Sequence, residues 1–333
     1  MGSGRIKTIT VTILILLVLG ASALLGVYYY ITGVPVVSEN KVVDIPKGRG
    51  LKKISAQLEE EGVIGNGNLF LLYVVGKGWQ NRLKAGEYEF GKGSTTSEVA
   101  RKIAYGDVVL HKVTIPEGLT MKEIAALLGK NGVLDPDGFL TAAGDPELLK
   151  ILPGRSITGL EGYLFPDTYT YTKGVTPGEF VRMMLDRFNK VYKSLEGLRR
   201  RVNLTDNEVI TLASIIEKET GAPAERPMIS AVFHNRLKLG MKLESDPTVI
   251  YGLGEDYDGN LTKADLNTMT QYNTYLIKGL PPGPICNPGK ESITAALSPA
   301  AVDYIYFVSR GDGTHYFSEN YADHQRAVSE YQR

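Results

Sequence analysis

The apolar run ITLASIIEKET at residues 210–220 ends in two glutamates, Glu217 and Glu219. The last turn of a helix carries the negative end of the macrodipole and favours cations, so an acid there costs electrostatic free energy. An acid kept at that cost is a candidate for chemistry. A carboxylic acid donates a proton near neutral pH only where an apolar setting raises its pKa. On a helical projection Glu219 falls between Leu212 and Ile215, on one shoulder of the apolar face built by Val209, Leu212, Ala213, Ile216 and Thr220. Glu217 falls beside Ala213 and Ile210 on the opposite shoulder, so geometry slightly prefers Glu219 as the more buried acid. For the helix taken alone, a solvated acid at a fraying end is the weightier reading.

The elements that must hold this pair can be traced along the chain. Thr205 and Glu208 have the spacing of a capping box, which opens the helix. Pro177, after Thr176, suits the first position of an earlier helix. ERPMISAVFHNRLKLG (225–240) reads as the following helix, with Met228, Val232 and Leu239 on one side and Gly240 as its stop. Beyond it, ESDPTVIYGLG, QYNTYLIKGLPPGPICNPG and DYIYFVSRGDGTHYFS read as loops and short strands rich in Pro, Gly, Asn and Tyr. YIYFVSRGDGTHYF reads as a hairpin turning at Gly311-Asp312-Gly313. Ordered loops beside a helix are where sites are commonly built.

The compartment follows from the N-terminus. Residues 8–31 carry no charge over 24 positions, enough to span a bilayer as a helix. Arg5 and Lys7 precede the run, which places the N-terminus in the cytoplasm and the remainder outside. Tyr28, Tyr29 and Tyr30 stand where an interfacial aromatic belt belongs. A cleaved signal peptide ending at the Ala21-Ser22-Ala23 stretch is the competing reading, but the apolar run continues for eight residues past Ala23. Outside the cytoplasm, nucleotide-dependent chemistry is disfavoured and cell-envelope polymers become the expected substrates. With 37 basic and 37 acidic residues and no basic block, nucleic acid is not an expected partner. The single cysteine, Cys286, excludes a cysteine metal cluster and any intramolecular disulfide, and the four histidines lack paired-ligand spacing, so no cofactor or metal is expected.

An internal repeat precedes the glutamate helix. VDIPKGRGLKKISAQLEEEGVIGNGNLF (43–70) and VTIPEGLTMKEIAALLGKNGVLDPDGFL (113–140) align without a gap at an offset of 70. Each reads as a short strand, a Pro-x-Gly turn, an amphipathic helix and a glycine stop at Gly62 or Gly132. GSTTSEVARKIAYG (93–106) is a weaker echo. Units of this kind resemble a LysM-like glycan-binding module; a duplicated scaffold is the other reading.

If the substrate is an envelope glycan, Glu219 is the proton donor to the leaving oxygen. A hydrolase carries a second carboxylate, for which Asp246, Asp167 and Glu161 are candidates. A lytic enzyme needs only one, which gives a proton and then takes one from the sugar's own 6-hydroxyl.

From about residue 40 to 330 the chain resembles the endolytic murein transglycosylases, the MltG/YceG-like family. The residues that carry the likeness are LEGYLFPDTY (160–169), ASIIEKET (213–220), FHNRL (233–237), SDPTVIYG (245–252), YNTY (272–275), GLPPGPICNPG (279–289) and HYFS (315–318). The resemblance implies cleavage within nascent peptidoglycan strands to leave 1,6-anhydro-N-acetylmuramic ends, ending strand elongation, with Glu219 as acid and base. It implies an α+β chain: an anchor over 1–38, a LysM-like region over 39–155, and a catalytic domain over 156–333 with a lysozyme-like catalytic helix. Peptidoglycan strands, the membrane and peptidoglycan synthases are the implied partners. Tyr272, Asn273, Thr274 and Tyr275 are expected to line the glycan groove, Asp246 and Thr248 to orient Glu219 or the sugar, Glu161 and Tyr163 to approach from the preceding segment or equally to form a structural turn, and Glu217 to tune Glu219 by like-charge repulsion or to face water. His234 and Cys286 enter no mechanism. A hydrolase giving reducing ends, or a non-catalytic membrane-anchored glycan-binding scaffold, are the alternatives.

Overall fold

The computed structural model describes residues 3–152, 157, 159–200 and 202–332. The chain is mixed α+β and its contacts divide into two compact units, 1–111 with 170–174, and 112–169 with 175–333. The expected boundary at 155/156 lies outside the described residues.

The first unit begins with helix α1 (Ser3–Gly33). Its stretch Ile6–Gly33 holds an 18-residue window of mean hydropathy 2.5 and is long and apolar enough to cross a membrane. Only its last turns are covered by protein: Ile31 is buried whereas Leu24, Leu25, Tyr28 and Tyr29 stay exposed. Strand β1 (Lys41–Ile45), helices α2 (Leu51–Glu60) and α3 (Gly67–Gly76), strand β2 (Gly86–Phe90) and helix α4 (Thr96–Tyr105) follow. β1 and β2 pair antiparallel with Val43 opposite Tyr88. Val43 and Ile45 alternate inward with period two and meet Ile54 and Leu58 of α2, Phe70 and Val74 of α3 and Ile103 of α4 in one core.

Strand β3 (Leu110–Thr114) leads into the second unit with helices α5 (Met121–Lys130) and α6 (Pro136–Ala143). Helices α2 and α5 begin and end 70 residues apart, and the repeat is preserved in backbone conformation: Gly48 and Gly118 have φ of 81° and 79°, Gly62 and Gly132 of 67° and 66°. A second helix follows each glycine stop, α3 in one copy and α6 in the other. The two copies lie in different units. Their strands find different partners, β1 with β2, and β3 with β4 (Thr168–Thr172).

The rest of the second unit supplies the site. Helix α7 (Pro177–Ser194) starts as its sequence signals, with Thr176 as N-cap and Pro177 behind it. Helix α8 (Asp206–Glu219) opens on the expected capping box: Thr205 Oγ1 accepts from the Glu208 N–H at 3.2 Å and Glu208 Oε2 from the Thr205 N–H at 2.7 Å. Every residue from Val209 to Ile216 is buried, so α8 is covered all round rather than along one stripe. Helices α9 (Arg226–Lys238), α10 (Asp246–Leu253) and α11 (Lys290–Leu297) pack against it. Helix α10 overturns the loop reading of SDPTVIYG. Ser245, Asp246 and Pro247 occupy the N-cap and first two helical positions, a start signal that outweighs the β-branched residues behind it. The β5–β6 hairpin (Tyr306–Ser309 and His315–Ser318) pairs Ser309 with His315 around the Gly311-Asp312-Gly313 turn, and helix α12 (Tyr321–Tyr331) ends the chain.

One glycine of the LEGYLFP stretch is required by its surroundings. Gly162 sits at φ 87°, and a Cβ there would overlap the Pro284 ring and lie 2.9 Å from Ile210 Cγ2 of the buried helix. Gly162→Ala is expected to destabilise the detergent-solubilised chain by roughly 2 kcal/mol or more, through a strained φ and overpacking. A denaturant-midpoint comparison reads this; an unchanged midpoint contradicts it.

Candidate active site

Glu219 is the final residue of α8, and the chain leaves the helix immediately: Thr220 is already extended, and its hydroxyl donates back to the Ile216 carbonyl at 2.6 Å. The half-buried Glu219 side chain opens into a cleft of about 480 Å³. The cleft is also lined by Arg236 of α9, by Glu244 and Asp246 at the start of α10, by Tyr275, and by Phe307 and His315 of the hairpin.

Burial pushes the Glu219 carboxyl up to about 7, with the Asp246 charge adding to the rise. Two groups work against it, a hydrogen bond from Ser245 and the Arg236 charge. The bond is direct: Ser245 Oγ donates to Glu219 Oε1 at 2.5 Å. Serine at a helix N-cap normally accepts from the first turn of its own helix. Ser245 occupies the N-cap of α10 and makes no such bond, because its hydroxyl goes to Glu219. Its position is fixed from below. Thr274 Oγ1 accepts from the Ser245 N–H at 2.9 Å, Thr248 Oγ1 donates to the Ser245 carbonyl at 2.6 Å, and the two threonine hydroxyls lie 2.8 Å apart. Glu244, just before, has φ 50°, the one positive value at a non-glycine among the described residues. Such strain persists only where surroundings impose it: the Glu244 N–H donates to the Thr274 carbonyl at 3.2 Å, and Arg236 Nη1 reaches its carboxylate at 3.0 Å. Arg236 itself is buried and also donates to the carbonyls of Ile305, Lys242 and Leu243.

The structure sorts the expected site residues into three groups. Glu219, Asp246 and Tyr275 share the cleft, with the Tyr275 hydroxyl donating to Asp246 Oδ1 at 2.6 Å. Thr248, Asn273 and Thr274 are fully buried and do not line it. Asn273 instead donates to the Leu266 and Thr268 carbonyls and accepts from the Tyr275 N–H, which folds the loop that presents Tyr275. Glu161, Tyr163 and Tyr272 line a separate cavity of about 260 Å³. There Glu161 accepts from the Met121 N–H at the first residue of α5, at 3.0 Å, and from Asn287 at 2.9 Å; burial raises it to about 7. Tyr163 is fully buried and bonds Asn207 at 3.0 Å.

Glu217 is not among the groups that shift the Glu219 carboxyl. It turns to the opposite side of α8, accepts from the Gly289 N–H at 2.9 Å and pairs with Arg226 at 3.5 Å. Asp167, weighed as a second carboxylate, is paired with Arg187 at 2.5 Å and is not among the cleft residues. His234 bonds the Ala296 carbonyl, and Cys286 is buried with its thiol toward the Ser214 carbonyl. Sequence reasoning did not single out Ser245, Arg236, Glu244 and His315. Ser245, Arg236 and His315 lie inside stretches already marked, SDPTVIYG, FHNRL and HYFS, but residue type alone does not say which member faces a cleft.

A family model described as the YceG-like family matches residues 43–330. The chain is 31% identical over 363 residues to an endolytic murein transglycosylase of Streptococcus pneumoniae serotype 2, covering 98% of this chain and 66% of that protein. It is 31% identical over 315 residues to an endolytic murein transglycosylase of Bacillus subtilis, covering 89% and 87%. A solved yceG-like protein from Listeria monocytogenes shares 35% identity at a TM-score of 0.59, covering 87% of this chain and 99% of that one. The chain thus spans about two thirds of the pneumococcal relative's length. The match runs across both units and includes the Glu219 cleft, and the chain belongs to the YceG-like family.

Proposed function

We propose that this chain is an endolytic lytic transglycosylase of peptidoglycan. The observation that carries the reading is a carboxyl held near pH 7 at the wall of an open cleft, with one oxygen fixed by Ser245. With Oε1 accepting from Ser245, Oε2 is left to carry the proton toward the substrate. Glu219 gives that proton to the bridging glycosidic oxygen. The C1–O bond breaks, its electron pair stays with the leaving oxygen, and positive charge develops at C1. The 6-hydroxyl oxygen of the same sugar then bonds to C1 while its proton returns to Glu219. The product is a 1,6-anhydro end, no water is consumed, and the enzyme is restored. Relatives bearing the name endolytic murein transglycosylase support this substrate class.

Asp246 gives the second reading some ground, since a hydrolase carries two carboxylates in one cleft and Asp246 shares this one. Its Oδ1 is already taken by the Tyr275 hydroxyl, which favours a role in positioning and in raising Glu219. The two readings differ in product mass by one water. In this proposal α1 anchors the chain with its N-terminus in the cytoplasm, the cleft faces the envelope beside peptidoglycan synthases, and the LysM-like repeat of 43–70 and 113–140 contributes glycan contacts. A topology reporter fused to the C-terminus should report an extracytoplasmic location; a cytoplasmic signal contradicts the proposal.

Glu219→Gln removes the transferable proton and is expected to lower strand cleavage by at least about 10³-fold, with native chains releasing anhydro ends by mass spectrometry. Undiminished cleavage by the variant contradicts the assignment. The donor form is protonated, so kcat/KM should hold below about 7 and fall about tenfold per unit above it. Stability follows the same sign. A carboxyl raised by folding contributes stability that is full below its ordinary value of 4.5 and is lost as pH climbs to about 7. Glu219→Gln should therefore exceed the native chain in stability at pH 8 by on the order of 2 kcal/mol and match it at pH 4. Thermal melts at the two pH values test this, and equal melting at both contradicts it.

A further inference from the structure

His315, the first residue of β6, lines the Glu219 cleft without a part in the chemistry above. The hairpin that carries it is laid against the end of α8. A Cβ on Gly221 would lie 2.6 Å from the Gly313 carbonyl oxygen, so only glycine admits this approach. Two residues back from Gly221 is Glu219, and two residues on from Gly313 is His315. The two segments therefore run from one close contact toward one cleft.

The imidazole is held on three sides. Glu225, itself 9% exposed, accepts from the His315 backbone N–H at 3.1 Å through Oε1 and bonds Nδ1 at 2.7 Å through Oε2. Phe307 meets the ring edge-on at 5.3 Å and Phe317 at 6.3 Å. A carboxylate accepts, so the bond to Glu225 selects the ring form with its proton on Nδ1, the tautomer in which Nε2 is an acceptor. Nε2 has no protein partner among the described residues and is not among their buried unpartnered atoms, so it keeps access to solvent on a residue that lines the cleft. His324 on the same wall differs: its ring stacks flat on Tyr306 at 4.9 Å and its Nδ1 is buried without a partner.

We propose that His315 is a substrate-positioning residue whose Nε2 accepts a hydrogen bond from a hydroxyl or acetamido N–H of the saccharide beside the cleaved bond, with Glu225 fixing the tautomer. Pinning the hairpin alone does not call for this pair, since an apolar contact of similar size does so without desolvating a carboxylate and an imidazole. The proposal rests on the glycan-cleaving reading of the same cleft.

His315→Asn and His315→Gln in the full-length chain separate the roles. Asparagine places an amide N–H near the Nδ1 position and keeps the tie to Glu225, but offers nothing where Nε2 stood. Glutamine reaches the Nε2 position with an amide oxygen. The expected result is a KM about tenfold higher for H315N, as one lost hydrogen bond gives, with kcat changed less and with partial recovery of KM in H315Q. A native KM for H315N overturns the proposal. A second measurement does not depend on variants of His315: the ¹⁵N resonance of its Nε2, assigned in the E219Q chain, should shift on addition of uncleaved peptidoglycan oligosaccharide. A saturated complex with no such shift overturns the proposal even if cleavage by the native chain is intact. Absence of cleavage by the native chain, with the shift present, refutes the transglycosylase reading and leaves His315 as a glycan contact.

Discussion

In the proposed reaction the second unit answers to one constraint: a carboxyl at the end of a buried helix must hold its proton toward neutral pH and still reach solvent. Burial raises Glu219, and the Ser245 bond at 2.5 Å holds its direction at the cost of lowering it. A carboxyl with desolvation alone is a proton donor with no fixed orientation. One with strong hydrogen bonds to its charged form is oriented but remains ionised. The balance here is a single neutral hydroxyl on one oxygen, with Asp246 and Arg236 acting in opposite directions from the cleft wall. The Ser245 hydroxyl is diverted from capping its own helix, and the Thr248–Thr274 pair beneath it replaces the order that the cap would have supplied.

This also accounts for an acid at a helix C-terminus. Helix α8 is buried along Val209–Ile216, so its direction is fixed by packing and not by end charges. The last residue can then hold a group that an isolated helix would disfavour. Its neighbour Glu217 shows the ordinary solution to the same problem, pairing with Arg226 and accepting a backbone N–H from Gly289. Two acids two residues apart are separated in role by what each meets across the helix.

Much of the scaffold was legible because it is local. The capping box at Thr205–Glu208, the proline start at Pro177, the glycine stops of the repeat and the Gly-Asp-Gly hairpin each express themselves within a few residues. Glu219 stands out as a candidate by its shoulder position combined with family resemblance. The residues around it were less legible because polar side chains in one short motif serve different layers. In YNTY, Asn273 and Thr274 face inward to hold the loop and Ser245, whereas Tyr275 faces the cleft and Tyr272 another cavity. Glu161 reads as a possible active-site acid from its type, but its partner is the N–H that opens α5, forty residues earlier. Ser245, Arg236 and His315 become functional candidates only when a loop, a helix and a hairpin far apart in sequence converge on one cleft.

The account stands on the ionisation of Glu219 in the free protein. A carboxyl-¹³C NMR titration of glutamate-labelled chain, with the Glu219 signal assigned by its absence in Glu219→Gln, measures it directly. The account gives a midpoint near 7. A midpoint at the ordinary 4.5 would mean that the carboxyl is ionised at neutral pH, and would contradict the claim that this cleft holds a proton donor.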